Sequence, residues 1–333
     1  MKRLPVPLPV PVATALAAVA LSAVAGAQVA LPGPLVTTQW LADNLSKVQV
    51  VEVRTDPRTT QRAAVLGLDD RGQRRIVEFG GHIPGAKIVP AASLRTSRII
   101  DGRKIDLMLP TRSEFEAIAR AGGVEADRPI VVVGEGRSPS DLNDAARAYL
   151  AFKLYANEPV AMLDGGMATW LNEGRPWSIK TAPPREGTWL ATADRSAQYL
   201  ATSGDTYAAA AQARQIADIR PAPMFYGLTK RDFVSAYGHI PGAKMVPPEV
   251  LVTPRGEALV FRKPDEYKGM LATLGIDPAA PVITYCNSGN DAALAWFVFA
   301  EIMGNREARA YEGSMHQWTA EKRPTVAVVP PQQ

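Results

Sequence analysis

The chain has 333 residues but a single cysteine, Cys286, and only three histidines. One thiol can close no internal disulfide, and one cysteine with three scattered histidines does not give the spacing of a zinc site. Charge of one sign is also scarce: 37 Lys and Arg against 33 Asp and Glu leave a net charge of +4. With no basic run and no basic-aromatic stripe, the sequence does not point to nucleic acid as a partner. Long apolar runs are missing too. The nearest approach is VATALAAVALSAVA from Val12 to Ala25, which is too short to span a bilayer comfortably.

That run lies behind Lys2 and Arg3 and closes with Ala25-Gly26-Ala27, the pattern of a cleavable signal peptide over residues 1–27. The mature chain is therefore expected to be exported, periplasmic and free of the membrane after cleavage. No cysteine lies in the segment to carry a lipid. Without Lys2 and Arg3 the net charge falls from +4 to +2. Export makes the lone thiol informative, because an oxidising compartment normally favours paired cysteines. An unpaired one there is either packing or chemistry.

The chain is written twice. GHIPGAK occurs at Gly81–Lys87 and at Gly238–Lys244, NDAARAYLAFKLYAN from Asn143 matches NDAALAWFVFAEIMG from Asn290, and LDGGMATW ending at Trp170 matches YEGSMHQW ending at Trp318. Segments repeated in one order with similar spacing indicate an internal duplication. In each copy a short apolar strand (VQVVEVR to Arg54, QIADIR to Arg220) precedes an irregular region and the GHIPGA turn. A strand, a helix (from Ser113, from Pro264), a buried strand (PIVVVG, PVITYC) and the Asn-Asp helix follow. Strands alternating with helices predict an α/β fold of two tandem domains, each a parallel sheet flanked by helices. The expected bounds are 33–180 and 192–325, joined by a Pro- and Gly-containing linker at 181–191 and followed by a tail at 326–333.

Cys286 ends the apolar, β-branched PVITY run, and the next helix is expected to start at Asp291 as its N-cap. The sulfur then sits at the carboxyl edge of a parallel sheet, where α/β proteins bind ligands. The short loop Asn287, Ser288, Gly289, Asn290, Asp291 can turn its amides inward as an anion cradle, with the positive end of the helix behind. Such a cradle is expected to lower the thiol pKa, giving a nucleophile that needs no histidine base. The competing reading is a buried strand-ending cysteine that only packs. Comparison of the copies favours chemistry: the first has Gly134 in place of Cys286, and its connection to Asp144 is longer than that from Cys286 to Asp291.

This combination resembles a tandem-domain rhodanese-like sulfurtransferase of the thiosulfate or 3-mercaptopyruvate type. The resemblance runs from about Leu35 to Pro324 and rests on the doubled GHIPGA, Glu52-Val-Arg54 and Asp218-Ile-Arg220, LDGGMATWLNEGRP, and CNSGND. It implies a first domain without the catalytic cysteine and a site in the cleft between domains. Cys286 then takes a sulfane sulfur from a small donor as a persulfide and passes it to a thiol or cyanide, with no metal and no cofactor. The resemblance also implies Asn287 to Asp291 and Arg220 as substrate-binding residues, Asp218 in support, and leaves room for an exported redox protein as partner. The alternative is a sulfur carrier or ligand-binding module with little turnover of free donors.

The chain departs from the family in its charges. No Arg or Lys lies between Cys286 and the helix, and Met224 stands where a second Arg is often found. The acid at Asp291 opposes both a thiolate and a dianionic donor. Lys230, Arg231 and Arg262 are the nearby cations that could substitute, against a plain reading as surface charge. His82 and His239 occupy the same place in both copies and are expected to hold the turn, while His316 is expected to be surface or packed. The related phosphatase loop ends in Arg; here that place is Ala292, which argues against phosphate chemistry. Trp296, Phe297 and Phe299 read as core, with one ring at most at the cleft.

Overall fold

The computed structural model describes residues 29–180 and 185–328. The expected signal segment 1–27 lies outside the described residues, as do linker residues 181–184 and the tail end 329–333. The first half carries β1 (Leu35–Val36), β2 (Gln49–Arg54), β3 (Val65–Leu68), β4 (Arg74–Glu78), β5 (Lys87–Pro90), β6 (Thr96–Ile100), β7 (Arg103–Met108), β8 (Ile130–Val133) and β9 (Val160–Leu163). The second carries β10 (Leu200–Ala201), β11 (Gln215–Asp218), β12 (Lys244–Met245), β13 (Val252–Arg255), β14 (Ala258–Phe261), β15 (Val282–Tyr285) and β16 (Ala308–Tyr311).

Two five-stranded sheets result, in the orders β1-β9-β8-β2-β5 and β10-β16-β15-β11-β12. All neighbours within them are parallel. One order is the other repeated, so the duplication seen in the sequence is a duplication of topology. The central strands IVVV and VITY are buried along their whole length, as β-branched runs covered by helices on both faces should be.

The irregular regions hold hairpins that their mixed composition did not announce: β3 with β4, β6 with β7, and β13 with β14, all antiparallel. All three exchange bonds between the halves, the first through Ile76 N–H of β4, which donates to the Glu257 carboxylate. From β14, Phe261 N–H donates to Asp164 Oδ1 at 3.0 Å; from β7, Asp106 N–H donates to His316 Nε2 at 3.0 Å.

The helix Pro139–Tyr155 begins about a turn before Asn143, because Ser138 caps it and Asp141 completes a capping box. It is buried almost throughout and packs against the helix Asn290–Trp296 of the other half. Around that crossing the two halves share one apolar cluster, in which Tyr149 meets Trp296 and Phe297 at ring separations of 6.4 and 4.8 Å. Trp296, Phe297 and Phe299 are fully buried. Each such ring or large aliphatic chain stabilises the fold by roughly 1.5–3 kcal/mol relative to exposure. The linker is anchored as well: Trp189 packs between Phe115 and Phe152, and its main-chain N–H donates to Val124 O at 3.1 Å.

Candidate active site

Cys286 leaves the end of β15 with 1% of its surface exposed. The main-chain amides of Ala292, Ser288 and Asp291 favour negative charge on its sulfur. The chain bends around it at Gly289, whose φ of 81° lies in the left-handed region. A Cβ there would stand 2.7 Å from the Glu312 carbonyl oxygen, so glycine is required twice over, for conformation and for space. Gly289 itself is the N-cap of the helix, and Asp291 is not, contrary to the sequence expectation. The Asp291 carboxylate lies in the first turn of that helix, near enough for its charge to act on the sulfur, while the Ser314 hydroxyl stands 3.9 Å from the sulfur itself.

The thiol's acidity is opposite to expectation. Burial first, and the Asp291 carboxylate second, push its pKa up to about 11 against the pull of the three amides. Asp291 is itself pushed up to about 6, mainly by burial, although Cys286 and Arg231 favour its ionised form. At neutral pH the pair is therefore a thiol beside a carboxylate. A base is needed after all, and Asp291 carries the charge that acts most strongly on the sulfur.

Three further residues build the site, none of them singled out by the sequence. Ser314 receives the N–H groups of Cys286 and Gly289 on its hydroxyl, at 3.0 and 3.1 Å, and donates to Tyr311 O at 2.8 Å. It does so from φ 48°, where its counterpart in the first half is Gly166 at φ 57°. A serine kept where the repeat has glycine, at a cost of about 1–3 kcal/mol in backbone strain, is the signal that could have found it. Arg147, on the helix of the first half, is 1% exposed. It donates to Leu94 O at 3.0 Å, Leu107 O at 2.7 Å and Ser288 O at 3.4 Å, and pairs with Glu312 at 3.4 Å. Burial lowers its pKa, while Glu312 and Cys286 hold its charge in place. Its signal was an arginine among alanines where the second copy has Leu294. The third is Asn143, which donates to the Asp291 carboxylate.

The remaining expected site residues fall in three places. Ser288, Asn290 and Asp291 are partly exposed at the mouth of the loop. Asn287 turns away: its side-chain amide reaches Met224 Sδ at 3.3 Å, and its carbonyl accepts the main-chain N–H of His316 at 2.9 Å. Arg220 and Asp218 lie behind the loop: both are buried, paired at 2.6 Å, and Arg220 also donates to Gly238 O at 2.9 Å. They brace the GHIPGA turn. Arg220 still senses Cys286 through space.

Of the other cations, Arg231 is exposed and faces Asp291. Arg262 is used on Val250 O and Val252 O, and Lys230 lies over Tyr237. His82 and His239 hold the two turns, through Ile83 O and Phe225 O. His316 is packed rather than superficial, with Nδ1 on Phe233 O at 2.6 Å and Nε2 accepting from Asp106 across the domain boundary. Among the described residues no group of three His, Cys, Asp or Glu could hold a metal, and no helix is long and apolar enough to cross a membrane. A cavity of about 780 Å³ between the halves has Arg98, Met108, Arg309 and Glu312 among its walls, and Cys286 is not one of them.

Comparison with known proteins gives the same picture for both halves. The chain is 28% identical over 291 residues to a putative thiosulfate sulfurtransferase of Saccharopolyspora erythraea, covering 86% of this chain and 92% of that one. It is 28% identical over 301 residues to 3-mercaptopyruvate sulfurtransferase of Mus musculus, covering 87% and 93%. The crystal structure of SseA from Escherichia coli, described as a 3-mercaptopyruvate sulfotransferase with the rhodanese fold, superposes with a TM-score of 0.64 at 24% identity over 85% of this chain and 98% of that one. The family model of the rhodanese-like domain matches residues 37–173 and 203–321, so the chain belongs to the rhodanese-like family, in its tandem form.

Proposed function

We propose that the protein is a sulfurtransferase that carries a sulfane sulfur on Cys286 as a persulfide. The observation that carries this reading is one buried cysteine at the carboxyl edge of the second sheet, in a tight loop closed by Gly289, whose Ser288, Asp291 and Ala292 amides favour charge on its sulfur. Amides so placed stabilise negative charge as it develops on the cysteine and on a sulfur attached to it. Ser314 and Arg147 keep the loop in that shape by occupying its remaining donors and acceptors. The relatives that align over 86% and 87% of the chain bear names of the same chemistry.

Two half-reactions follow. Cys286 attacks the outer sulfur of a donor of the thiosulfate or 3-mercaptopyruvate kind, and the persulfide then passes that sulfur to a thiol or cyanide. The amides of Ser288, Asp291 and Ala292 form the cradle, and exposed Arg231 is the cation best placed to meet an anionic donor at the mouth. Arg220 acts through the strand end it braces. Export through the segment 1–27 remains part of the proposal and makes an exported thiol or redox protein a fitting acceptor.

The test is to incubate the chain from residue 28 with each donor, weigh the intact protein for one added sulfur, then add cyanide and measure thiocyanate. Turnover that disappears in Cys286→Ser supports the enzyme. A sulfur adduct without turnover supports a carrier, and neither result would leave a binding module.

A further inference from the structure

The second sheet presents more of its carboxyl edge than the cysteine loop uses. Beside β15, strands β16 and β10 end at the cavity of about 780 Å³ between the halves, a volume in the range of small-molecule sites. Ligands of open α/β sheets bind at this edge. The wall is mixed in origin: Arg98 and Met108 come from the β6–β7 hairpin of the first half, and Leu200, Ser203, Gly204 and Arg309 from the second.

Hydrogen bonding on that wall is unevenly spent. The Asp205 carboxylate takes the N–H and hydroxyl of Thr202 at 2.9 and 2.8 Å and Arg309 at 3.3 Å, while Glu321 takes Gln317, Ser203 and Arg323. These acids are satisfied. The donors are not: Arg323 is held by Glu321 and lies over Trp318, but the Arg309 guanidinium has, among the described residues, the Asp205 contact alone. The N–H groups of Ser203 and Gly204 open the helix Ser203–Ala211, so no earlier turn accepts them, and the Thr202 hydroxyl caps Asp205 N–H instead. At Gly204 an added Cβ would meet nothing closer than 3.6 Å, which leaves room for a ligand atom.

From this arrangement we infer that the cavity binds a small monocarboxylate with an aliphatic body, and that the bound molecule clamps the two halves shut behind the cysteine loop. The carboxylate lies between the Arg309 guanidinium, whose planar fork suits it, and the free amides at the helix start. Its hydrocarbon part lies against Met108 of the first half and Leu200 of the second. One negative charge is the limit. The wall sets three arginines, Arg98, Arg309 and Arg323, against four acids, Asp101, Asp205, Glu312 and Glu321, so a dianion meets net repulsion.

The clamp follows from where the wall leads. Glu312 and Gly313 run from the cavity to Ser314, which holds the N–H groups of Cys286 and Gly289. Glu312 also lies against Gly289, where an added Cβ would stand 2.7 Å from its carbonyl oxygen. Cys286 is 1% exposed, so a reagent reaches it only when the loop and the halves part. A molecule that touches both halves binds the closed arrangement alone and lowers the open fraction by mass action.

The experiment titrates the purified protein by calorimetry with hexanoate, with adipate, which carries a carboxylate at both ends, and with phosphate. Hexanoate should bind, and adipate and phosphate should bind about tenfold more weakly. Arg309→Gln should weaken hexanoate binding about tenfold. Gly204→Asp sets a carboxylate at the helix start, where it favours the helix, and should abolish binding with a melting temperature no lower than that of the wild type. With hexanoate at about ten times its Kd, iodoacetamide alkylation of Cys286 should slow about tenfold, and in Gly204→Asp it should not change. Three results overturn the inference: no binding of hexanoate, affinities for hexanoate that are equal in the wild type and both variants or equal to those for adipate or phosphate, and alkylation that keeps its rate with the site filled.

Discussion

The side-chain amide of Asn143 donates to the carboxylate of Asp291, and the relationship is reflected across the molecule, where Asn290 Nδ2 donates to Asp144 Oδ1 at 3.1 Å. The duplicated Asn-Asp pairs thus exchange bonds in the manner of a two-fold interface, where each partner offers the same patch to the other. In one half the carboxylate meets Arg95 and Thr55; in the other its charge acts on a thiol. The half without a cysteine is therefore part of the site.

Substituting Asn143 should accordingly affect chemistry in the other half. Asn143→Ala should slow sulfur loading of Cys286 about tenfold, as expected when the loop that carries the sulfur loses its tie to the first half. Asn143→Asp sets carboxylate against carboxylate and should also make stability pH-dependent, low at pH 8 and recovering toward pH 5 as the pair takes up a proton. Denaturant melts across that range would reveal it. Equal midpoints at both pH values would mean that the two side chains are not coupled.

Cys286 holds its proton to about pH 11. Alkylation by iodoacetamide, a neutral probe, should therefore be slower at pH 7.5 than for a free thiol and should climb through pH 9 without levelling. A plateau below pH 8 would contradict the buried, carboxylate-flanked thiol. Because the folded-state pKa exceeds that of the unfolded thiol, the associated stability is complete at neutral pH and declines as pH rises toward 11. Asp291→Asn removes the like charge and should shift the alkylation curve to lower pH.

Ser314 separates strain from function. Ser314→Ala keeps the unfavourable φ of 48° and removes the hydroxyl that two loop amides share, so it should cost about 2 kcal/mol and most of the sulfur loading. Ser314→Gly restores the residue of the first half and relieves the strain, so it should be more stable than the alanine variant by about 1 kcal/mol while loading sulfur no better. If glycine rescued loading along with stability, the hydroxyl would be irrelevant to the loop.

These residues also mark what could be read in advance. The parallel sheets, the doubled order of elements and the loop at Cys286 followed from β-branched runs, helix periodicity and repetition, all of which act locally. The hairpins were hidden because their strands, such as Arg74–Glu78 and Arg103–Met108, are largely exposed and carry too many charges to alternate cleanly. Asp291 suits an N-cap by residue type, but the left-handed turn at Gly289 takes the capping place and releases the side chain. The direction of the thiol's pKa could not be read from the loop. It depends on burial beneath a second domain, a long-range consequence of how the helices Pro139–Tyr155 and Asn290–Trp296 cross.

The two copies solve one structural problem in different ways, and the difference can be tested by transplantation. In the first half Glu52 reaches Ile83 N–H directly at 2.6 Å while pairing with Arg54. In the second, Asp218 is one methylene shorter, and the hydroxyl of Tyr285 fills the gap by donating to Asp218 and accepting from Ile240 N–H at 3.1 Å. Tyr285 occupies the place of Val133. Tyr285→Phe should therefore leave the buried Ile240 N–H unpaired and cost about 1–3 kcal/mol. Asp218→Glu alone should be destabilising, since the longer acid collides with the tyrosine hydroxyl in a packed core. Combined with Tyr285→Val it reproduces the arrangement of the first half, so the double variant should be more stable than the sum of its single changes by about 1–2 kcal/mol. Urea denaturation of Asp218→Glu, Tyr285→Val and the double variant supplies the cycle. Simple additivity would show that the acid and the tyrosine do not act as one unit behind the cysteine loop.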